Sequence, residues 1–168
     1  AVDFVNIKSK SLGEILLQRS AITEEQLSEA LKVQTESGKK KLGEILVDKE
    51  YVTTEQMLKA LAQQLDLSYY DKLPVNEFEP LLIKDIPIQY SRDNLIVPIA
   101  SDDFNVTVAV ADPLNIFPLD DLRLILSTNI NMVVSTPTVI NNAINRLYEK
   151  AQDASQKVID ELNVPDID

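Results

Sequence analysis

Apolar residues fall at Leu12, Ile15 and Leu16, then at Leu27 and Leu31, and the pattern returns at Leu42, Ile45, Leu46, Met57 and Leu61. Within each group the spacing is that of one helix face. The stretches Lys10–Gln34 and Lys40–Gln64 correspond at a constant offset of 30 residues, without insertion: Gly13 to Gly43, Thr23 to Thr53, Gln34 to Gln64. Such fidelity marks a tandem structural repeat. Each copy is predicted to be a short helix, a tight connection and a second helix. The second helix opens with a capping box, Thr23-Glu-Glu-Gln26 in one copy and Thr53-Thr-Glu-Gln56 in the other. There the threonine hydroxyl accepts from the third helical N–H while the glutamine reaches back. Ile22 with Leu27, and Val52 with Met57, are placed as hydrophobic staples across those caps. Leu27, Leu31 and Gln34, with their counterparts Met57, Leu61 and Gln64, mark one helix face.

The pattern changes after the repeat. Thr35–Lys41, between the copies, is polar, and its Gly38 suits a helix C-cap. Lys39, Lys40 and Lys41 read as a solvated loop whose cations suit the preceding helix end. All three glycines lie before residue 44 and all eight prolines from Pro74 onward, so a boundary is placed at Leu65–Asp71. Beyond it, Phe78, Leu81, Leu82 and Ile86 predict a short helix interrupted by Pro80, and Pro87–Asp93 a further helical turn. Leu95–Ala100 and Asn105–Ala111 read as strands joined at Ser101–Asp103. Pro98 lacks a ladder donor, which puts its strand at an edge or bulges it there. Val106, Val108 and Val110 share one face of the second strand. Pro118 opens a helix carrying Leu119, Leu122, Ile125 and Leu126, Ile130–Val134 is a third strand, and Thr136-Pro137 caps a last helix. Its stripe is Val139, Ile140, Ala143, Ile144 and Leu147. The fold class is therefore α+β, a helical tandem-repeat subdomain followed by a small α/β sandwich with a short sheet. The expected divisions are 1–68 for the first, 69–150 for the second, and 151–168 as a linker toward a further domain. Val158, Ile159 and Leu162 leave open a last helical turn there. Residues 1–9 read as a loose lead-in.

Charge and missing residue types then narrow the chemistry. Against 16 Lys and Arg stand 27 Asp and Glu, a net charge of -11. That balance argues against nucleic acid and anionic membrane as partners. No apolar run approaches the ~18 residues of a membrane span. With no Cys and no His, disulfides, thiol or imidazole catalysis and Cys/His metal sites drop out. No phosphate loop or dinucleotide fingerprint is present. The acidic count alone supports no hydrolase.

The doubled Leu-Gly-Glu-Ile-Leu…Thr-x-Glu-Gln-Leu/Met-x-x-Ala-Leu-x-x-Gln pattern is followed by Leu65-Asp-Leu-Ser-Tyr-Tyr-Asp71, Val110-Ala-Asp-Pro-Leu114 and Asp120-Asp-Leu-Arg123. Over residues 10–150 this order resembles the N-terminal domain of the type II secretion and type IV pilus assembly ATPases (the GspE/PilB group), with an MshEN-like tandem repeat. The resemblance implies a non-catalytic domain joined to a downstream hexameric ATPase core. It also implies docking on the cytoplasmic part of an inner-membrane platform protein, hence a cytoplasmic location peripheral to the inner membrane. No nucleic acid, membrane insertion, metal or obligatory cofactor is expected.

In some members of that group the same motif binds cyclic di-GMP, each copy opening with Arg-Leu-Gly and carrying a glycine after its first helix. Carried over, the candidate binding residues are Leu12, Gly13, Gln34, Lys41, Leu42, Gly43 and Gln64. The arginine positions are Ser11 and Lys41 here, and the mid-motif glycines are Ser20 and Glu50. Neither Ser nor Lys reproduces the planar fork of an arginine. These departures weigh against the ligand, and both readings, docking domain and cyclic-dinucleotide sensor, stand at this point.

Overall fold

The computed structural model describes residues 10–163. The expected lead-in, 1–9, and the last five residues of the expected linker lie outside them. The chain divides into two units between Tyr69 and Tyr70.

The first unit is four helices: α1 (Leu12–Gln18), α2 (Glu24–Ser37), α3 (Leu42–Asp48) and α4 (Thr54–Gln64). Both capping boxes form, with the Thr23 and Thr53 hydroxyls accepting from Gln26 N and Gln56 N and each glutamine returning to the threonine N–H. Gly38 ends α2 in the left-handed conformation (φ 64°), its N–H donating to the Gln34 carbonyl. The four helices share one core. Ile15, Leu16, Ile22 and Ala30 of the first copy meet Ile45, Leu46, Val52 and Ala60 of the second, each residue with its counterpart 30 positions on. The staple residues Leu27 and Met57 pack against it. Packing crosses between copies, with α1 against α4 and α2 against α3.

The second unit opens with two 3-10 turns, Val75–Glu77 and Pro80–Ile83, where the sequence predicts one interrupted helix. Pro74 and Pro80 account for this, since neither can donate into an α-helical ladder. The elements α5 (Ile88–Asn94), β1 (Ile96–Ser101), β2 (Asn105–Val110), α6 (Phe117–Leu126), β3 (Asn129–Val134) and α7 (Pro137–Leu162) follow. The sheet order is β1-β2-β3. Strand β1 runs antiparallel to β2, and β3 runs parallel to it in unbroken register from Asn105↔Asn129 to Val110↔Val134. Pro98 sits in edge strand β1, and the register slips between Pro98 and Ala100, so the strand is both an edge and bulged.

Alternation along the strands feeds two cores. Val106, Val108 and Val110 join Ile96, Leu119 and Leu122 beneath α6. Val97, Ile99, Ala109 and Val133 meet Ile140, Ala143, Ile144 and Leu147 of α7 on the opposite face, together with Phe78 and Ile83. The sheet thus lies between α6 and α7. Thr136 caps α7, accepting from Val139 N. The helix continues to Leu162, through most of the stretch 151–168 expected to be a linker. No glycine or proline stands between Pro137 and Pro165 to stop it, and Gln156 donates to Asp160 one turn on.

Buried polar groups in this unit are paired. Ser91 and Ser135 are fully buried; Ser91 Oγ lies 3.0 Å from the Tyr148 hydroxyl, which donates to the Ile86 carbonyl, and Ser135 donates to the Tyr70 carbonyl. The Tyr90 hydroxyl donates to Asp121 at 2.6 Å, tying α5 to α6. Burial, then that hydrogen bond, push the Tyr90 phenol up to about 12. Because the fold favours the neutral phenol, its contribution to stability is complete below the unfolded value of 10.0 and is lost as pH rises through about 12. Tyr51, through its bond to Glu29, and Tyr148, through burial, are also raised. Ultraviolet titration of the tyrosines is therefore expected to show a late-ionising set that includes Tyr90. Asp121→Asn should move Tyr90 earlier by removing the charged acceptor.

Candidate functional site in the doubled helical unit

The seven candidate binding residues separate into two kinds. Leu12 and Leu42 are the first residues of α1 and α3, half-buried against the shared core. Gly13 and Gly43 follow them and are buried. A Cβ at Gly13 would stand 2.8 Å from Leu27 Cδ1, and one at Gly43 3.0 Å from Met57 Sδ and 3.4 Å from Leu12 Cδ2. The Leu27 and Met57 side chains packed over these positions favour glycine at both. These four residues stand at the starts of α1 and α3 against the shared core.

Gln34, Lys41 and Gln64 are different. Gln34 lies in the last turn of α2, and Gln64 is the last residue of α4; both are half-buried. Lys41 is the exposed N-cap residue of α3 and makes no side-chain cap. Among the described residues none of these three side chains has a hydrogen-bond or ion partner, and no hydrogen bond joins them to one another. They are the polar groups a ligand would find uncommitted. Of the neighbouring lysines, Lys40 is held by Asp48 at 2.8 Å, and Lys39 is exposed in the loop.

Residues at the departing positions have structural work. The Ser11 hydroxyl accepts from Glu14 N at 3.2 Å and caps α1, a bond that Lys41 cannot supply to α3. Ser20 and Glu50 stand at φ 56° and 59°, the left-handed region. A glycine there is the natural occupant of the turn between the two helices of each copy, irrespective of any ligand. The loss of glycine at these positions therefore counts less against binding than the sequence implies, since both copies keep the turn.

Ties between the copies were not legible beforehand. Arg19, the C-cap of α1, donates to Gln63 of α4 through Nε at 3.0 Å and Nη2 at 2.7 Å. Its counterpart Lys49, the C-cap of α3, pairs with Glu29 of α2 at 3.1 Å, and the Tyr51 hydroxyl donates to the same carboxylate at 2.6 Å. The Tyr51 and Lys49 hydrogen bonds hold the Glu29 carboxyl below its ordinary range. The sequence signal was two cations 30 residues apart, each at the end of a first helix. Their partners, Gln63 and Glu29, break the repeat and could not be inferred from it.

With this geometry in hand, comparison with known proteins is specific. The family model of the MshEN domain matches residues 54–154. The type IV pilus assembly ATPase PilB of Myxococcus xanthus (strain DK1622) is 29% identical over 158 residues, 92% of this chain and 27% of PilB. The chain thus spans about a quarter of that relative's length. The solved structure of MshE with cdg superposes with a TM-score of 0.68 at 25% identity, covering 83% of this chain and 99% of that one. The N-terminal domain of XpsE gives 0.59 at 20% identity, covering 80% and 92%, a likeness of fold.

Ser20→Gly and Glu50→Gly are each expected to raise stability by about 0.5–1 kcal/mol, since glycine adopts the left-handed turn without a Cβ penalty and loses part of that gain to unfolded-chain entropy. Urea denaturation without any ligand measures this. A loss of stability would mean that Ser20 or Glu50 makes contacts outweighing the turn.

Proposed function

The chain belongs to the MshEN domain family, and we propose that it is a non-catalytic docking and regulatory domain of a type II secretion or type IV pilus assembly ATPase. The observation that carries this reading is the joint match to the MshEN domain and to PilB, the latter over 158 residues and 92% of this chain. In this reading the ATP-hydrolysing core, hexameric when assembled, is a separate domain of the full-length protein. The present domain binds the cytoplasmic part of an inner-membrane platform protein and couples it to the motor. It acts in the cytoplasm, peripheral to the inner membrane through that partner. Among the described residues no helix is long and apolar enough to cross a membrane. The chemistry of the chain agrees with a binding role: there is no His or Cys, and short hydrogen bonds such as Tyr51–Glu29 and Tyr90–Asp121 hold elements together.

A second reading is favoured by the likeness to MshE solved with cdg. In it the doubled helical unit takes cyclic di-GMP, with Lys41 opposite a phosphate and Gln34 and Gln64 toward polar edges, over the packed Leu12-Gly13 and Leu42-Gly43 pairs. One lysine and no arginine at the leading positions make this a weaker site than an Arg-led one would be.

Calorimetry separates the two. The docking role predicts saturable binding to the purified cytoplasmic domain of the cognate platform protein, and an absence of association at high micromolar concentration would sink it. For cyclic di-GMP, heat and a rise in melting temperature would support the second reading. Lys41→Ala should then weaken binding, and affinity should fall with added salt because the contact is ionic. No heat and no thermal shift would dispose of it.

A further inference from the structure

The second unit carries an apolar face that its own core does not use. Along α6, Phe117, Asp121 and Leu124 recur at one-turn and two-turn spacings on one side. Asp121 is exposed there, and its carboxylate also accepts from the Tyr90 hydroxyl of α5. Pro118, Leu119 and Leu122, on the remaining sides, are buried beneath the helix. Phe117 is 78% exposed and Leu124 81%. Just past the helix end, the Thr128 hydroxyl donates to the Phe104 carbonyl at 3.2 Å, which brings the β1–β2 hairpin tip to that end of the helix. Phe104 at that tip is 77% exposed. Three large apolar side chains left this open on two adjoining elements are what an interaction surface looks like before it is covered.

Charge says what would cover it. Residues 93–122 contain six aspartates (Asp93, Asp102, Asp103, Asp112, Asp120 and Asp121) and no Lys or Arg. Asp103 precedes Phe104, and Asp121 lies between Phe117 and Leu124 on the helix. The first cation to follow, Arg123, is already paired with Asp120 at 2.6 Å. A second copy of the chain laid on this face would bring the same aspartates against one another, which opposes self-association. An anionic lipid surface is opposed for the same reason. A groove of about 550 Å³ between Pro80–Ile88 and α7 is also apolar, but it has no comparable run of charge.

We infer that the outer face of α6 and the hairpin tip bind a basic amphipathic helix of a protein partner. Its apolar side seats on Phe117, Leu124 and Phe104, and its lysines or arginines face Asp103 and Asp121. The inference rests on the docking role proposed above for the identity of the partner, and adds the surface and the chemistry by which it is recognised. Apolar contact supplies affinity, and the interleaved carboxylates fix orientation and exclude acidic segments.

The test uses a synthetic amphipathic helix with leucines on one side and lysines on the other, and a matched peptide with glutamate in place of lysine. Each is titrated into the 15N-labelled chain. The lysine peptide should shift the amide resonances of Phe104, Phe117, Asp121 and Leu124. Leu124→Ser, at a site too exposed to affect folding, should keep the melting temperature and weaken binding about tenfold or more. The glutamate peptide should leave the spectrum unchanged. The inference is overturned by no shifts, by shifts along Leu81 and Val158 instead, by equal binding of both peptides, or by dimerisation of the wild type that Leu124→Ser abolishes. The cognate platform domain then separates the two claims. If it fails to bind while the lysine peptide marks this face, the docking role falls and the surface stands. If it binds wild type and Leu124→Ser alike, the surface falls and the docking role stands.

Discussion

A seven-residue helix cannot hold itself in water, because nucleating its first turn fixes more dihedral angles than its few hydrogen bonds repay. Both α1 and α3 are of that length. Each survives because its aliphatic side is buried against the second helix of the other copy. Neither copy is therefore a folding unit, and the doubling is a physical requirement of the first unit. Within each copy the glycines at 13 and 43 make room for the Leu27 and Met57 side chains of the second helix. The crossed packing explains the reach of Arg19 and Lys49 from the ends of the first helices to the second helices opposite.

The second unit solves a different problem with one three-stranded sheet. Both faces of β2 are buried, and alternation along it assigns the odd and even positions to separate cores. The parallel pairing of β2 with β3 requires a crossover, and α6 is that crossover, so its inner side is committed to the sheet. On its outer side Asp121 is tied to Tyr90 of α5, while Phe117 and Leu124 are left uncovered. Among the described residues the fold leaves the polar groups of Lys41, Gln34 and Gln64 uncommitted in one unit, and the apolar side chains of Phe117 and Leu124 open in the other.

Sequence and structure agree where the chemistry is local. Capping boxes are read from four consecutive residues, and both form as the pattern requires. Pro98 announces its edge strand and its bulge because a missing N–H has few tolerable positions in a sheet. Agreement fails where the determinant lies elsewhere in space or in backbone angle. One interrupted helix was expected over Asn76–Ile86, but Pro74 and Pro80 reduce it to two 3-10 turns. Helix α7 runs beyond residue 150 because an acidic, glycine-free stretch reads equally as linker and as solvated helix. At the candidate site, the positions of Leu12, Gly13, Leu42 and Gly43 were legible, but not that Leu27 and Met57 pack over the two glycines. The left-handed turns at Ser20 and Glu50 were invisible, since neither residue advertises a positive φ.

The crossed packing of the first unit has a consequence for how these molecules behave in company. When each half of a unit is completed by the other half, a half supplied by a neighbouring chain completes it equally well, and exchange between molecules costs only the loop that joins the halves. Here that loop is the short polar run from Gly38 to Lys41, tightened by the left-handed glycine and by the Lys40–Asp48 pair. The connection keeps the two halves of one chain at high effective concentration for each other.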